Sequence, residues 1–393
     1  GIDANPAWRE PVADRLYLPS ADGGRAITNA VSEAISLVNA GRALAGQPPL
    51  APKGGARFHF ELPGSVQGFL VAQGEGLGKA HLINTPGHSQ IGARSLAIQV
   101  AALSPGQKAR LAAATFISPE AAKMPGYGII ASPTLYPGQT VRLRLEADQA
   151  NPSPVNAQLV LGVYDPDDMP VYLAGPACEL APGQPAELSW LIPDTGGAPI
   201  FEIGLEVDRA GTLYLDYLTW EGESQVTLDR PVGSSLPWPG PQVWRKAWVN
   251  GVDQWETWAP NPYRLIQNSG RGLLIQGARQ WKNFRVSVDV APALVKTGGI
   301  AARVQGMRRF YALLLCAGNT VRLIKALDGD RTLAEAPFAW ELWKSYNLSL
   351  ETSDAAPGEG VRLRAWIDGQ LFFDVLDLDS PLEGGGVALV VEE

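Results

Sequence analysis

From about residue 55 onward the chain alternates between apolar and polar positions. In "TVRLRLEAD" (140–148) Val141, Leu143 and Leu145 fall on one side, Arg142, Arg144 and Glu146 on the other. "IFEIGLEVD" (200–208) repeats the pattern with Phe201, Ile203, Leu205 and Val207, and "VRLRAWIDG" (361–369) with Val361, Leu363, Ala365 and Ile367. A period of two belongs to a strand with one face in a core. Before residue 50 the period changes. Ile27, Val31, Ala34, Ile35 and Val38, with Leu44 further on, recur at threes and fours, which predicts an apolar stripe along a helix. Ser20 or Asp22 supplies the start signal; Gly46 and Pro48-Pro49 supply the stop. A helix of about twenty residues is marginal by itself in water. Burial would stabilise each of its large aliphatic side chains by roughly 1.5–3 kcal/mol, so this helix needs a partner surface.

Turn chemistry divides the strands. A Pro-Gly phrase recurs in "LSPGQ" (103–107), "LYPGQ" (135–139) and "LAPGQ" (180–184), and Pro-Gly suits the two central positions of a type II turn. Unequal spacing of the three phrases argues against a solenoid. Hairpin signals follow at Asn250-Gly251, Asp328-Gly329 and Asp368-Gly369. The Pro-rich stretch "RPVGSSLPWPGPQVW" separates two strand-rich regions. The fold class expected is therefore mainly β. Two antiparallel β-sandwich (jelly-roll) domains, residues 55–225 and 226–393, follow a short α-helical remnant in residues 1–50.

Composition narrows the function. At 393 residues, two or three domains is the natural expectation. The net charge is −8, and residues 226–393 carry equal numbers of basic and acidic side chains, so the chain lacks the basic excess of a nucleic-acid binder. No apolar run is long enough to span a membrane. The first residues have no signal-peptide pattern; the compartment stays open between a cytoplasmic location, which is favoured, and export by a leader already removed. Cys178 and Cys316 fall in different candidate domains and are expected to be free thiols; two cysteines cannot make a cysteine-zinc site. His59, His81 and His88 lack metal-ligand spacing.

Several residues carry candidate chemistry. Trp366 shares the polar side of its strand with Arg362 and Arg364, and an indole rimmed by hydrogen-bonding groups is what a sugar ring needs. The competing reading is that a loop or the neighbouring segment covers it. Arg303, Arg308, Arg309 and Tyr311 lie near a glycine turn, either lining a concave ligand face or standing on an exposed hairpin end. Trp238, Trp244, Trp248, Trp255 and Trp258 could make a stacking platform or plug a seam between domains. Glu202, Glu206 and Asp208 share one face, read here as a solvated surface without neighbouring aromatics. "YDPDD" (164–168) reads as a solvated turn. No nucleophile elbow, phosphate loop or dinucleotide fingerprint occurs, so no catalytic residue and no metal ligand is assigned.

Residues 8–50, with "WREPVADRLYLPSADGGRAITNAVSEAISLVNAGRALAG", resemble the C-terminal end of the ADP-ribosylglycohydrolase family. That resemblance implies an all-α hydrolase domain using a pair of magnesium ions. The family's two acidic metal motifs are not present in residues 1–50, so Mg2+ is expected only in a catalytic part ahead of Gly1. "ARFHFELPGSVQGF" (56–69), "SPTLYPGQTVRLRLEA" (132–147) and "GTLYLDYLTWEG" (211–222) resemble jelly-roll carbohydrate-binding modules, in which a structural Ca2+ often sits near a last-strand acid, here Asp216. One carboxylate does not make such a site. "GLLIQGARQWKNFRVSVDV" (272–290), "GGIAARVQGMRRFYALLL" (298–315) and "RLRAWIDGQLFFDV" (362–375) resemble laminin-G-like or concanavalin-like sandwiches, including those of 3-keto-disaccharide hydrolases. Together these imply a non-catalytic region that binds a carbohydrate or glycosylated partner for an upstream hydrolase. The alternatives are that the third segment is itself a glycoside or 3-keto-glycoside hydrolase, or that both sandwiches are structural or dimerisation modules.

Overall fold

The computed structural model describes residues 44, 46, 56–90, 92–116, 132–233, 243–256, 263–355 and 360–393. The helix expected over residues 22–45 lies outside the described residues, apart from Leu44, and so do Trp238 and Trp258.

Ten strands build the first sandwich: β1 (Phe69–Val71), β2 (Ala80–Pro86), β3 (Arg94–Val100), β4 (Ala109–Ala114), β5 (Thr140–Ala147), β6 (Val155–Tyr164), β7 (Pro170–Leu180), β8 (Pro185–Leu191), β9 (Ile200–Val207) and β10 (Gly211–Glu221). They form two antiparallel sheets, ordered β1-β4-β9-β6-β7 and β2-β3-β10-β5-β8. The segments β3-β10-β5-β8 and β4-β9-β6-β7 are the two four-stranded halves of a jelly roll. One core fills the space between them, with Leu96, Leu111, Leu143, Leu159, Leu205 and Leu215 all fully buried. The Pro-Gly phrases form the turns their chemistry predicts. Gly106, Gly138 and Gly183 have φ of 82°, 84° and 73°. In each turn the glutamine amide donates to the carbonyl three residues back: Gln107 to Ser104, Gln139 to Tyr136 and Gln184 to Ala181.

One expected core residue is displaced. On β9 Ile203, Leu205 and Val207 are buried as the alternation predicts, but the β6–β9 register shifts between Gly162 and Val163. Phe201 is the extra residue of that bulge. Ile200 takes the core position, and Phe201 lies beside Tyr164 and Tyr172 at 4.7 and 6.0 Å. Glycine is required beneath it, because a Cβ on Gly162 would lie 2.6 Å from the Phe201 ring.

A short helix, α1 (Val243–Lys246), leads into the second sandwich. Its strands are β11 (Val249–Gly251), β12 (Gln254–Glu256), β13 (Arg264–Ile266), β14 (Arg271–Gln276), β15 (Phe284–Val290), β16 (Thr297–Gly306), β17 (Arg309–Cys316), β18 (Thr320–Leu327), β19 (Asp330–Pro337), β20 (Tyr346–Asp354), β21 (Val361–Ile367), β22 (Gln370–Asp377) and β23 (Gly386–Glu392). A seven-stranded sheet, β11-β14-β23-β16-β17-β18-β19, faces a four-stranded one, β15-β20-β21-β22, and β12-β13 form a separate ribbon. Leu313, Leu323, Leu348, Leu350 and Leu363 fill the space between the two sheets. Asp368-Gly369 makes the β21–β22 hairpin with φ of 49° and 79°, both left-handed as a type I′ turn requires. Asp328, with φ of 55°, lies in the turn from β18 to β19, where Gly329 is not left-handed. The Asn250-Gly251 hairpin is corrected: both residues lie within β11 and pair with β14, so no turn forms there.

The seven-stranded sheet is strongly coiled. Arg271, at one end of β14, donates to both carboxylate oxygens of Asp330 at 2.9 and 2.7 Å, and Asp330 opens the far edge strand β19. A flat sheet would separate β14 from β19 by five strand spacings, about 24 Å. Curling encloses a second apolar layer on the other face of this sheet, with Leu273, Phe310, Leu314, Ile324 and Val390 each at most 4 % exposed.

Tryptophans seal the seam between the sandwiches. Trp244, Trp248 and Trp255 are buried with Tyr263 around them, and Leu228, from the chain leaving β10, packs against the same cluster. They fill a seam; they do not form an open stacking platform. Tyr263 donates to the Leu228 carbonyl at 2.6 Å, and the Val243 amide donates to Asp168 at 3.0 Å.

Candidate functional site

The outer face of the four-stranded sheet gathers the residues singled out on β21. Val361, Leu363, Ala365 and Ile367 point into the core, which turns Arg362, Arg364 and Trp366 outward. Ladder pairing supplies their neighbours. Arg364 is opposite Glu351 and Asp374, and Trp366 is opposite Ser349 and Leu371. Arg362 makes a two-pronged pair with Asp374 at 2.7 and 2.6 Å, and Arg364 bonds Glu351. The bond from Arg362 holds the Asp374 carboxyl below the usual carboxylate range. Ser287 and Ser349 share a hydrogen bond of 2.7 Å, and Asn347 donates to Asp289 at 2.8 Å.

Trp366 is half-buried on this face. Its ring partner is Arg285, an exposed residue of β15 whose guanidinium lies 4.0 Å from the ring centroid. Arg285 makes no hydrogen bond or ion pair within the described residues, whereas Arg362 and Arg364 are committed to carboxylates. The face therefore offers a flat aromatic surface, unspent guanidinium donors above it, and hydroxyl, amide and carboxylate groups around it. Cation stacking of this kind contributes about 0.5–2 kcal/mol, which a ligand ring taking the place of Arg285 has to offset. Arg285 was not found from sequence, because the alternation of β15 marks it as outward but not as a neighbour of β21.

Two other candidates are corrected. Arg303 is fully buried: it donates to the Lys282 carbonyl at 3.1 Å, the Leu382 carbonyl at 2.7 Å and Asp354 at 2.7 Å. Irregular pairing around it, with φ of 49° at Arg303 itself, turns the side chain inward. Tyr311 is also fully buried. Its hydroxyl donates to Asp377 at 2.6 Å and accepts from the Leu382 amide at 2.9 Å, and burial pushes the phenol above its usual range. Lys325 completes this internal set at 2.8 Å from Asp377. Arg309 stays at the surface and pairs with Asp328 across the hairpin at 3.0 Å. None of the three reaches the Trp366 face through a contact seen here.

The first sandwich holds two polar clusters that sequence reasoning read differently. Glu206 binds Lys108 at 2.9 Å and Arg110 at 2.7 Å. The Arg110 guanidinium lies 3.5 Å from the Tyr172 ring centroid, and burial pushes the Glu202 carboxyl up beside Tyr172. This face has aromatic neighbours, contrary to expectation, and is internally paired. On the opposite sheet His88 stacks on Tyr214, with ring centroids 3.5 Å apart and planes 4° apart, and its Nδ1 lies 3.0 Å from Glu146. Tyr214 donates to Asp148, and Asp216 accepts from the Gln90 amide at 2.8 Å with Arg144 3.6 Å away. Both of these neighbours are donors directed at Asp216 Oδ2. "YDPDD" is a turn in which Asp165 accepts from the amides of Asp167 and Met169. Among the described residues no group of three or more His, Cys, Asp or Glu is placed to hold a metal ion, and both cysteines are free. No described helix is long and apolar enough to cross a membrane.

No protein-family model matches the chain, and no curated protein matches it. Among solved structures, part of the chain is similar to a carbohydrate-binding module of the β-sandwich superfamily studied for promiscuous specificity. Identity is 18 %, the TM-score 0.34, and the match covers 45 % of this chain and 64 % of that one. The chain thus spans less than two thirds of that structure. A xylan-binding domain from Paenibacillus barcinonensis is 12 % identical with a TM-score of 0.33, over 43 % of this chain and 94 % of that one. A C-terminal family 22 carbohydrate-binding module from Clostridium thermocellum is 15 % identical with a TM-score of 0.30, over 47 % and 99 %.

Proposed function

We propose that this chain is a carbohydrate-binding region and that the Trp366 face of the four-stranded sheet holds the sugar. One observation carries the reading: a half-buried indole on the outer sheet face, with the uncommitted guanidinium of Arg285 stacked on it and hydroxyl and carboxylate groups at its rim. The apolar C–H face of a pyranose stacks on the ring, and its hydroxyls bond the rim. The resemblance of residues 8–50 to the end of an ADP-ribosylglycohydrolase domain supports a finer reading. In it the sandwiches deliver a glycan or glycosylated partner to a hydrolase domain ahead of residue 1, and Mg2+ belongs to that domain.

The test is retention of the full chain on immobilised xylan, cellulose, mannan and glycosylated proteins, followed by calorimetry. Trp366→Ala is expected to weaken binding about tenfold or more while leaving the thermal midpoint nearly unchanged. Retention on none of these, or a Trp366→Ala variant that binds as the parent does, rejects the Trp366 site.

A further inference from the structure

Two loops meet at one end of the second sandwich. One follows β15, the other precedes β20, and the Trp343 amide donates to the Pro292 carbonyl at 2.7 Å. Three large apolar side chains stand out from them: Leu294 is 86 % exposed, Trp343 72 % and Leu342 44 %. Leu294 and Trp343 have φ of 56° and 68°, a left-handed backbone that favours glycine and is rare for a bulky side chain. None of the three belongs to any of the four buried clusters. An indole held in a strained backbone and turned to water adds nothing to the core, and such outliers concentrate where a ligand is met.

Position links this tip to Trp366. Along the outer face of the sheet, the Trp366–Ser349 pair is followed by a polar row. In that row Asn347 donates from its side chain to Asp289 and from its amide to Asp368, each at 2.8 Å. Ser349 lies three residues from Tyr346, where β20 begins, a run of about 10 Å. Trp343 is on the loop just beyond that end. Lys344 pairs with Glu341 at 3.4 Å, and the Asp289 and Asp368 carboxylates line the row beside it, so this end disfavours an anionic ligand.

We propose that Trp343 is a second stacking platform of the same site and that the ligand is an extended, neutral sugar chain. The chain runs along the strands from Trp366, over the Asn347–Asp289 row, to the loop tip. This rests on the reading that the Trp366 face binds sugars. A single pyranose covers one indole; only a chain reaches both.

Calorimetry of the full protein with cello-, xylo- and manno-oligosaccharides of one to six units tests it. Affinity is expected to rise with length up to the hexamer. Trp343→Ala should weaken the hexamer about tenfold and leave the dimer unchanged, whereas Trp366→Ala weakens both. Trp343→Gly relieves the backbone, so it should keep or raise the thermal midpoint while showing the same affinity loss, which separates binding from folding. A hexamer bound no more tightly than the dimer, or by Trp343→Ala as by the parent, overturns the extended site and leaves Trp366 standing. No binding of any sugar by the parent protein overturns both.

Discussion

Tyr214 shows how one side chain ties stability to pH at both ends of the scale. Burial, with the bond to Asp148, pushes its phenol from the usual 10 up to about 12. A phenol raised on folding stabilises fully below pH 10, and that contribution is lost as pH rises through about 12. The same bond holds the Asp148 carboxyl below its usual range, so its contribution is present above the ordinary carboxylate range and lost as pH falls through the depressed value. Tyr214→Phe removes both. Thermal melts of the variant should start lower at neutral pH and fall less steeply than the parent between pH 10 and 12; equal slopes would refute the assignment. Outwardness of residues was readable from alternation for Arg362, Arg364 and Trp366. Polar identity does not imply exposure at Arg303 and Tyr311, which are both fully buried. A guanidinium with three internal acceptors is satisfied in a core as well as in water.

Strands and turns were the most legible elements, since period two and Pro-Gly are local properties. Where the outcome depended on a neighbour, the same reasoning failed. Asn250-Gly251 has hairpin chemistry but is paired to β14, and Phe201 left the core because β6 imposed a bulge. Context also separates turns of one phrase. Gly106 and Gly138 have nearly the same φ, but a Cβ at Gly106 meets nothing within 4 Å and one at Gly138 would lie 2.8 Å from the Gln225 amide nitrogen. Gly106→Ala is expected to destabilise by about 1 kcal/mol, the cost of a left-handed alanine, and Gly138→Ala by distinctly more. Urea unfolding of the two variants side by side measures this; equal midpoints would contradict it.

Across the whole molecule the decisive feature is the seam. Trp244, Trp248 and Trp255, each at most 7 % exposed, join Leu228 from the end of the first sandwich, and Tyr136 meets Trp281 at 4.8 Å. A seam so apolar couples the unfolding of two bodies that each have a core. Calorimetry of the parent should show one main transition. Trp244→Ala, which removes a large buried side chain at about 3–5 kcal/mol, should split it into two. Two resolved transitions in the parent would mean independent sandwiches.

The amino-acid order alone determined that the described chain is β, where its Pro-Gly turns fall and which side of β21 meets solvent, because each follows from alternation or backbone preference within a few residues. Tertiary structure decided which outward residues become neighbours. Arg285 reaches Trp366 from two strands away, Arg271 reaches Asp330 only because a sheet coils, and the Trp343 amide is bonded to the Pro292 carbonyl of the loop after β15. Those contacts join residues tens of positions apart, and their geometry is set by sheet order, bulge and curvature, quantities that no local pattern encodes.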